Sequence, residues 1–442
     1  MRCARSRVAA ACGPAFAALV LLGAAPPANP APFAPSTQER LANGAVIAVQ
    51  NTAGIPPLIG ATMFLPAGLA LQRAEDAGIA ALTASVVLST PVDGGKSVTQ
   101  VADMLGASAS YLLDARDTRY YIESRPSDFS RLLHDLSTAM ERPDPNQLDS
   151  ARRTVSDAGV AAAKSPAATA FAMVRQARYR GNGYAYPEAG DGFSLARLGP
   201  TDVAAFASAC RHGVGAVLAL EGAVTPAISQ AAALELSRLQ AGVPPAAPAS
   251  IAITRPQEVI SHRDVASPWV ALAYAAPTQS SNDFAAMLVI QALLGRGGSG
   301  DALAFGSNTA LADDYSGAFY QFDAEPGVFT FFLNTQSPSV DQGLRNFLGG
   351  IARLRTRDLS SALVQRAKRV AIGDYYTSIT TLQEASWLLG RSAQSRTGVA
   401  AEGDLAARIS AVTPGDVRRA AHRYFVAATT ALVLPVEGDR HL

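Results

Sequence analysis

An internal repeat is the feature of this sequence that most constrains its fold. Residues 199–222 and 413–438 match at a constant spacing, because Pro414 lies 214 positions after Pro200 and the other matched residues keep that spacing. Each stretch is typical of a short helix with Asp in its first turn, followed by an apolar strand. The repeat predicts two related structural units. The matched pairs are Pro200 and Pro414, Asp202 and Asp416, Val203 and Val417, Leu218 and Leu432, and Leu220 and Leu434.

The starts of the two halves correspond more loosely. PLIGATMFLPAG (57–68) and PWVALAYAAPTQ (268–279) each read as a strand that ends at a proline, and an Asp and an apolar helix follow. Alternating runs and helical patterns fill the space between start and end. We therefore expect an α+β fold of two duplicated α/β units. Each unit is a mostly antiparallel sheet with helices packed on one face, and a linker joins the two in a clam-like pair with a chamber between them.

Two further segments set the domain boundaries. Residues 240–257 are rich in Pro and Ala without a regular period, which predicts a linker. The chain starts with basic residues and a short apolar run, the layout of a secretory signal peptide. We expect a signal peptide at 1–25, an N-terminal unit at 26–239, a linker at 240–257 and a C-terminal unit at 258–442, in a periplasmic or secreted protein. An uncleaved N-terminal anchor is the alternative.

The overall charge excludes two classes of partner. The chain has a formal net charge of +1, and loss of Arg2, Arg5 and Arg7 with the signal peptide changes this to −2. A nearly neutral protein has no electrostatic reason to bind nucleic acid or an anionic membrane. No second apolar run is long enough to cross a bilayer. We therefore expect neither a nucleic-acid partner nor a stable membrane span.

Several phrases, in order along the chain, resemble the insulinase/pitrilysin-like zinc metallopeptidases, which include the mitochondrial processing peptidases. These phrases are LANGAVIAVQ (41–50), GIAALTASVVL (78–88), LDSARRTVSDAG (148–159) and AVTPGDVRRAAHRYF (411–425). Their order, together with the duplication, implies the processing-peptidase-like fold of two related units.

The resemblance also implies where a zinc site would lie. Active members bind zinc through an inverted His-x-x-Glu-His motif on one helix and a Glu on a later helix. In this chain, the side chains at the ligand and general-base positions of the motif are methyl groups and one hydroxyl, which neither bind zinc nor move a proton. We therefore expect a degenerate member with no catalytic residue, no metal and no cofactor. The motif falls on Ala81, Leu82, Thr83, Ala84 and Ser85, and the later Glu on Ala158.

The histidines of the chain are too far apart in sequence to form the helical zinc-binding pair elsewhere. No two of the five histidines, at positions 134, 212, 262, 422 and 441, lie within five residues of each other, so no helical His pair exists. Asp76 and Asp157 flank the vacated motif, and a hard cation between them is one interpretation. The other is that Asp76 caps a helix and Asp157 faces solvent.

Active members also supply an Arg and a Tyr from the second half, which bind the substrate backbone and the developing oxyanion. By resemblance, Tyr315 fits the Tyr position, and Asn308 stands seven residues earlier in place of the Arg. Asn lacks the charge and the forked donors of Arg. Tyr315 and Asn308 are therefore candidate substrate-cleft residues, with an ordinary strand tyrosine as the alternative for Tyr315.

The resemblance implies a non-catalytic peptidase-like subunit. Such a subunit partners a zinc-bearing homologous peptidase subunit in a heterodimeric metallopeptidase, and it binds an extended peptide that adds to a sheet edge. One alternative is a metallopeptidase with an unorthodox metal site. The other is a purely structural or peptide-binding scaffold, as in the core subunits of a respiratory complex.

Overall fold

The computed structural model describes residues 36–52, 54, 56–295, 315–322, 326–335, 340–395, 398–399 and 404–436. The signal peptide predicted at 1–25 and the candidate Asn308 lie outside these residues. No helix in the described part of the chain is long and apolar enough to cross a membrane.

Within these residues the strands form two large sheets and a small hairpin. The six-stranded first sheet has the order β1-β2-β8-β3-β7-β6, and the five-stranded second sheet has the order β11-β12-β10-β13-β9. The strands are β1 (Ser36–Arg40), β2 (Val46–Asn51), β3 (Ile59–Leu65), β4 (Pro91–Asp93), β5 (Lys96–Ser97), β6 (Ser108–Leu113), β7 (Thr118–Ser124), β8 (Val217–Gly222), β9 (Gln257–Arg263), β10 (Trp269–Ala276), β11 (Tyr315–Gln321), β12 (Gly327–Asn334) and β13 (Thr429–Pro435).

Helices connect the strands and pack on the sheets. In chain order they are α1 (Ile79–Ser89), α2 (Val98–Met104), α3 (Pro126–Glu141), α4 (Leu148–Ala163), α5 (Pro166–Arg178), α6 (Gly192–Arg197), α7 (Pro200–Cys210), α8 (Pro226–Ser237), α9 (Phe284–Leu294), α10 (Val340–Thr356), α11 (Ser361–Thr377), α12 (Leu382–Gln394), α13 (Leu405–Ala411) and α14 (Pro414–Tyr424).

The two sheets repeat one topology, as the sequence repeat predicts. The series β2, β8, β3, β7 and β6 has the same order and the same strand directions as β9, β13, β10, β12 and β11, with one parallel pair followed by antiparallel pairs. The matched helices α7 and α14 begin alike. Asp202 accepts a hydrogen bond from the Gly199 N–H at 2.8 Å, and Asp416 accepts one from the Thr413 N–H at 2.9 Å. A first-turn carboxylate stabilises both helix starts.

Each half sends one helix onto the sheet of the other half. Helices from the sheet's own half cover one face of each sheet, as expected. The opposite face of the second sheet packs against Ala170 and Val174 of α5, and that of the first sheet packs against Leu389 and Ala393 of α12. α5 and α12 hold corresponding places in the two halves, so the exchange is reciprocal. The central strands β3 and β8 are buried along their whole length because both faces are covered.

The exchanged helix α12 contacts the first sheet closely through Gly390. A Cβ atom at this position would collide with the Phe64 ring, which is itself fully buried. The Gly390→Ala substitution should lower the free energy of unfolding by about 2 kcal/mol, because overpacking outweighs the gain in helix propensity. Gly373 in α11 has open space around it, so Gly373→Ala should instead stabilise the chain by up to about 1 kcal/mol. Urea denaturation of both variants tests this, and equal effects would contradict it.

The clam-like arrangement with a chamber between the halves stays a prediction. Helices α5 and α12 pack between the halves, and the Val399 N–H also donates to the Gln38 side chain at 3.3 Å. The 240–257 segment has no helix or multi-residue strand before β9, and it is tied to the first half by the Ile251 N–H, which donates to the Arg180 carbonyl at 2.7 Å.

Candidate functional site

The helix that corresponds to the zinc-binding helix of the family, α1, packs against α4, which carries the position of the later ligand. Gly78 precedes α1 with a φ of 95°, a left-handed conformation that favours glycine. The loop residue Ala189 contacts both Gly78 and Gly159 of α4. The start of α1 and the second half of α4 therefore both contact Ala189. The vacated ligand positions on the two helices consequently lie in one region of the fold.

The side chains at these positions do not fit a zinc ion. Ala81, Ala84 and Ser85 are buried in α1, and Ala158 is exposed on α4. The Thr83 hydroxyl is buried and has no hydrogen-bond partner. One or two hydroxyls among methyl groups lack the nitrogen, sulfur or carboxylate ligands that zinc requires. The residues present therefore supply no means to hold the metal or to activate a water molecule.

Of the two acidic residues near the vacated motif, Asp76 stabilises a turn and Asp157 is exposed to solvent. Asp76 accepts hydrogen bonds from the backbone and the guanidinium of Arg73, so it closes a turn before α1. Asp157 is exposed on α4. In the described part of the chain, no group of three or more His, Cys, Asp or Glu side chains lies in a metal-binding arrangement.

The edge strand β6 lies beside α1 and ends the first sheet. Its sequence, SASYLL, has no charged residue and no proline, and most of its residues are partly exposed. The edge strands β1 (STQER) and β9 (QEVISHR) carry charges of both signs. Charged residues on an edge strand hinder the addition of another strand. β6 is therefore an edge to which an extended chain could pair.

The candidate Tyr315 begins β11, which occupies the corresponding edge in the second sheet. Its backbone is in register with Asn334 of β12. The sequence of β11, YSGAFYQ, is also uncharged. The structure thus places Tyr315 on an edge strand equivalent to β6, and the role of its side chain stays a prediction.

A buried ion network that the sequence did not reveal lies at the end of β6. Arg391 of α12 bridges two carboxylates of the β6–β7 turn: it donates to Asp114 and, at 2.8 Å, to Asp117. Gln394 also donates to Asp117, at 3.0 Å. All three charged groups are buried. Burial, together with the nearby Asp114 charge, raises the pKa of Asp117 to about 6, against the lowering effect of Arg391. The network fixes the exchanged helix to the turn that follows β6.

Comparison with known proteins shows which family this chain resembles. A family model described as the peptidase M16 inactive domain matches residues 197–370. This part of the chain is therefore similar to peptidase M16 inactive domains. The matched range begins at the end of α6, includes the segment predicted as a linker and ends within α11. The resemblance to insulinase-like peptidases is confirmed. No curated protein sequence gives a significant match.

Solved structures show the same fold over almost the entire chain. A protease from Helicobacter pylori has 15% identity and a TM-score of 0.79, with 91% of this chain and 100% of that chain covered. A peptidase M16 inactive domain from Pseudomonas fluorescens has 17% identity, a TM-score of 0.79 and coverage of 92% and 100%. A chain of complex III2 from Candida albicans, with Inz-5 bound, has 16% identity, a TM-score of 0.74 and coverage of 90% and 95%. At these identities the likeness confirms the α+β fold and no activity.

Proposed function

We propose that this M16-type chain is a non-catalytic periplasmic or secreted subunit that binds an extended peptide and partners a zinc-bearing homologous peptidase. One observation carries the proposal: the helix beside the open edge strand β6 has Ala81, Ala84 and Ser85 where zinc ligands and a general base would stand. The peptide-binding edge is retained while the hydrolytic groups are not. A hydrolase that works at neutral pH needs an activated nucleophile, which these side chains do not generate.

The uncharged edges support peptide binding as the retained function. β6 and β11 are equivalent ends of the two sheets, and both lack the charges found on β1 and β9. An extended peptide added to such an edge gains main-chain hydrogen bonds. Partnership with a homologue is supported by the family: one structural neighbour is a chain of the multi-subunit complex III2.

The proposal is tested by purifying the chain alone and together with a zinc-bearing M16 homologue from the same genome. We expect the lone chain to contain much less than one equivalent of zinc and to leave unfolded peptides intact. The pair should co-elute in size-exclusion chromatography and cleave peptides faster than the homologue alone. About one zinc per lone chain with peptide turnover would support the unorthodox metallopeptidase instead, and failure to co-elute would support a scaffold.

The β6 edge is tested by the Leu112→Lys substitution. Leu112 is 48% exposed on β6, so a lysine there folds without loss of core packing and places a charge on the edge. We expect binding of a fluorescent unfolded peptide, measured by anisotropy, to weaken about tenfold, which corresponds to about 1.4 kcal/mol. Ile260→Lys is the matched control, because Ile260 is 49% exposed on the edge strand β9. Equal affinities of the two variants would rule out β6 as the binding edge.

A further inference from the structure

A groove in the second half is lined by an unusual number of arginines. It has a volume of about 590 Å³ and lies along α14 and the end of α10. This volume is within the range of about 300–1,000 Å³ that is typical of small-molecule sites. It is separate from α1, α4 and β6, so the proposed peptide-binding function does not use it. Its lining residues are Arg355, Thr413, Gly415, Asp416, Arg418, Arg419, His422 and Arg423.

Arg419 is closely paired with Asp416, at 2.6 Å, and the other ion pairs of the groove arginines are longer. Arg418 lies 3.3 Å from Asp358, and Arg419 and Arg423 lie 3.4 and 3.3 Å from the same carboxylate, Asp283. All three guanidinium groups are at least 46% exposed. Exposed ion pairs at these distances contribute little stability, so their donors remain available to a stronger anion.

A fourth arginine has no anionic partner among the residues that the structure describes. Arg355 forms no hydrogen bond or ion pair with the described residues, and its Nε atom is buried without an acceptor. The groove thus has four arginines against Asp283, Asp358 and Asp416, a surplus of one positive charge. The surplus contrasts with the net charge of −2 expected for the chain without its signal peptide.

The start of α14 does not itself provide the anion site. The Thr413 N–H donates to Asp416, and the Asp416 N–H donates to the Thr413 hydroxyl at 3.2 Å. These amides are therefore satisfied within the helix, and an incoming anion must be held by the guanidinium groups. Guanidinium forks bind phosphate oxygens in a bidentate manner.

We infer that this arginine groove binds a ligand with two or more phosphate groups. Four guanidinium groups line one open groove, and a ligand with several phosphate oxygens can bind two or more of them at once. A free polyphosphate or phosphate ester and the headgroups of an anionic phospholipid share this chemistry. The first would occupy the groove as a soluble ligand, and the second would hold the α14 face against a membrane surface.

The test uses the full chain and two probes. Isothermal titration calorimetry with inorganic tripolyphosphate measures the soluble ligand, and co-sedimentation with phosphatidylglycerol vesicles, compared with phosphatidylcholine vesicles, measures the lipid. The variant Arg418→Gln/Arg423→Gln leaves Asp283 paired with Arg419 and Tyr424. We expect it to weaken binding at least about tenfold, because two charge-assisted contacts are lost.

The matched control is Arg366→Gln/Arg369→Gln, which removes the same charge from exposed positions of α11 outside the groove. The control should bind as the unmodified chain does. Binding of tripolyphosphate alone assigns a soluble ligand, and binding of phosphatidylglycerol vesicles assigns a lipid surface. The inference is overturned if neither probe binds or if both double variants lose affinity equally. Should the groove variant not fold, Arg418→Gln alone, at a side chain 46% exposed, is expected to weaken binding about threefold.

Discussion

Replacing Arg391 with methionine should lower the free energy of unfolding by about 3–5 kcal/mol. The Arg391 side chain is 4% exposed and is shared between Asp114 and Asp117, which are also buried. Its loss leaves Asp117 without a hydrogen-bonded cation and Asp114 with only the Arg119 guanidinium, at 3.4 Å, in a buried site. A buried ion pair adds little net stability when it is intact, but removal of one partner exposes the full desolvation cost of the other.

The corresponding helix provides the control for this prediction. Arg178 of α5 is also 4% exposed and also enters the opposite half, where its Nη1 donates to the Ala427 carbonyl at 3.0 Å. It has no carboxylate partner in the described residues. Arg178→Met therefore leaves neutral acceptors unpaired, and we expect a loss of about 1–3 kcal/mol, smaller than that of Arg391→Met.

Urea denaturation of both variants measures the difference. The triple variant Arg391→Met/Asp114→Asn/Asp117→Asn should recover part of the loss, because it removes the unpaired charges together with their partner. If Arg178→Met is as destabilising as Arg391→Met, the cost arises from packing at the exchanged helices and not from the buried carboxylates.

The sequence predicted the duplicated fold because the repeat is encoded locally. The matched prolines and first-turn aspartates start α7 and α14, and the matched leucines lie in the buried strands β8 and β13. These signals depend on neighbours along the chain, so a single sequence contains them. The position of the vacated motif on α1 came from the family resemblance and not from the residues at that position, because none of the motif's His or Glu residues is present.

The helix exchange was not predictable from the same signals. The apolar residues of α5 and α12 indicate that these helices are buried, but a hydrophobic face does not say which sheet covers it. The contacts that decide the partner, such as Arg391 with Asp117, join residues 274 positions apart. The arginine groove was also not predictable from the sequence. The net charge of the chain does not show where charges cluster, and Arg355 lies near Arg418 and Arg423 only because α10 packs against α14.

Stability should also decrease as the pH rises from about 4 to about 6, through Asp117. Burial and the Asp114 charge raise the pKa of Asp117 from its ordinary value of 3.8 to about 6. Between these values the folded state binds more protons than the unfolded state, so the free energy of unfolding falls with rising pH. A change of about two pKa units corresponds to about 3 kcal/mol, all of it lost above pH 6.

The variant Asp117→Asn isolates this contribution, because an amide does not titrate. Other carboxylates work in the opposite direction: hydrogen bonds from Thr380, with a smaller contribution from Thr381, lower the pKa of Glu384. Those groups are the same in both proteins and cancel in the difference. Urea denaturation at pH 4, 5, 6 and 7 should therefore show the unmodified chain losing stability relative to Asp117→Asn up to pH 6 and then running parallel to it. Parallel curves from pH 4 onward would mean that Arg391 keeps Asp117 ionised throughout, and the turn after β6 would then hold α12 equally firmly at every pH tested.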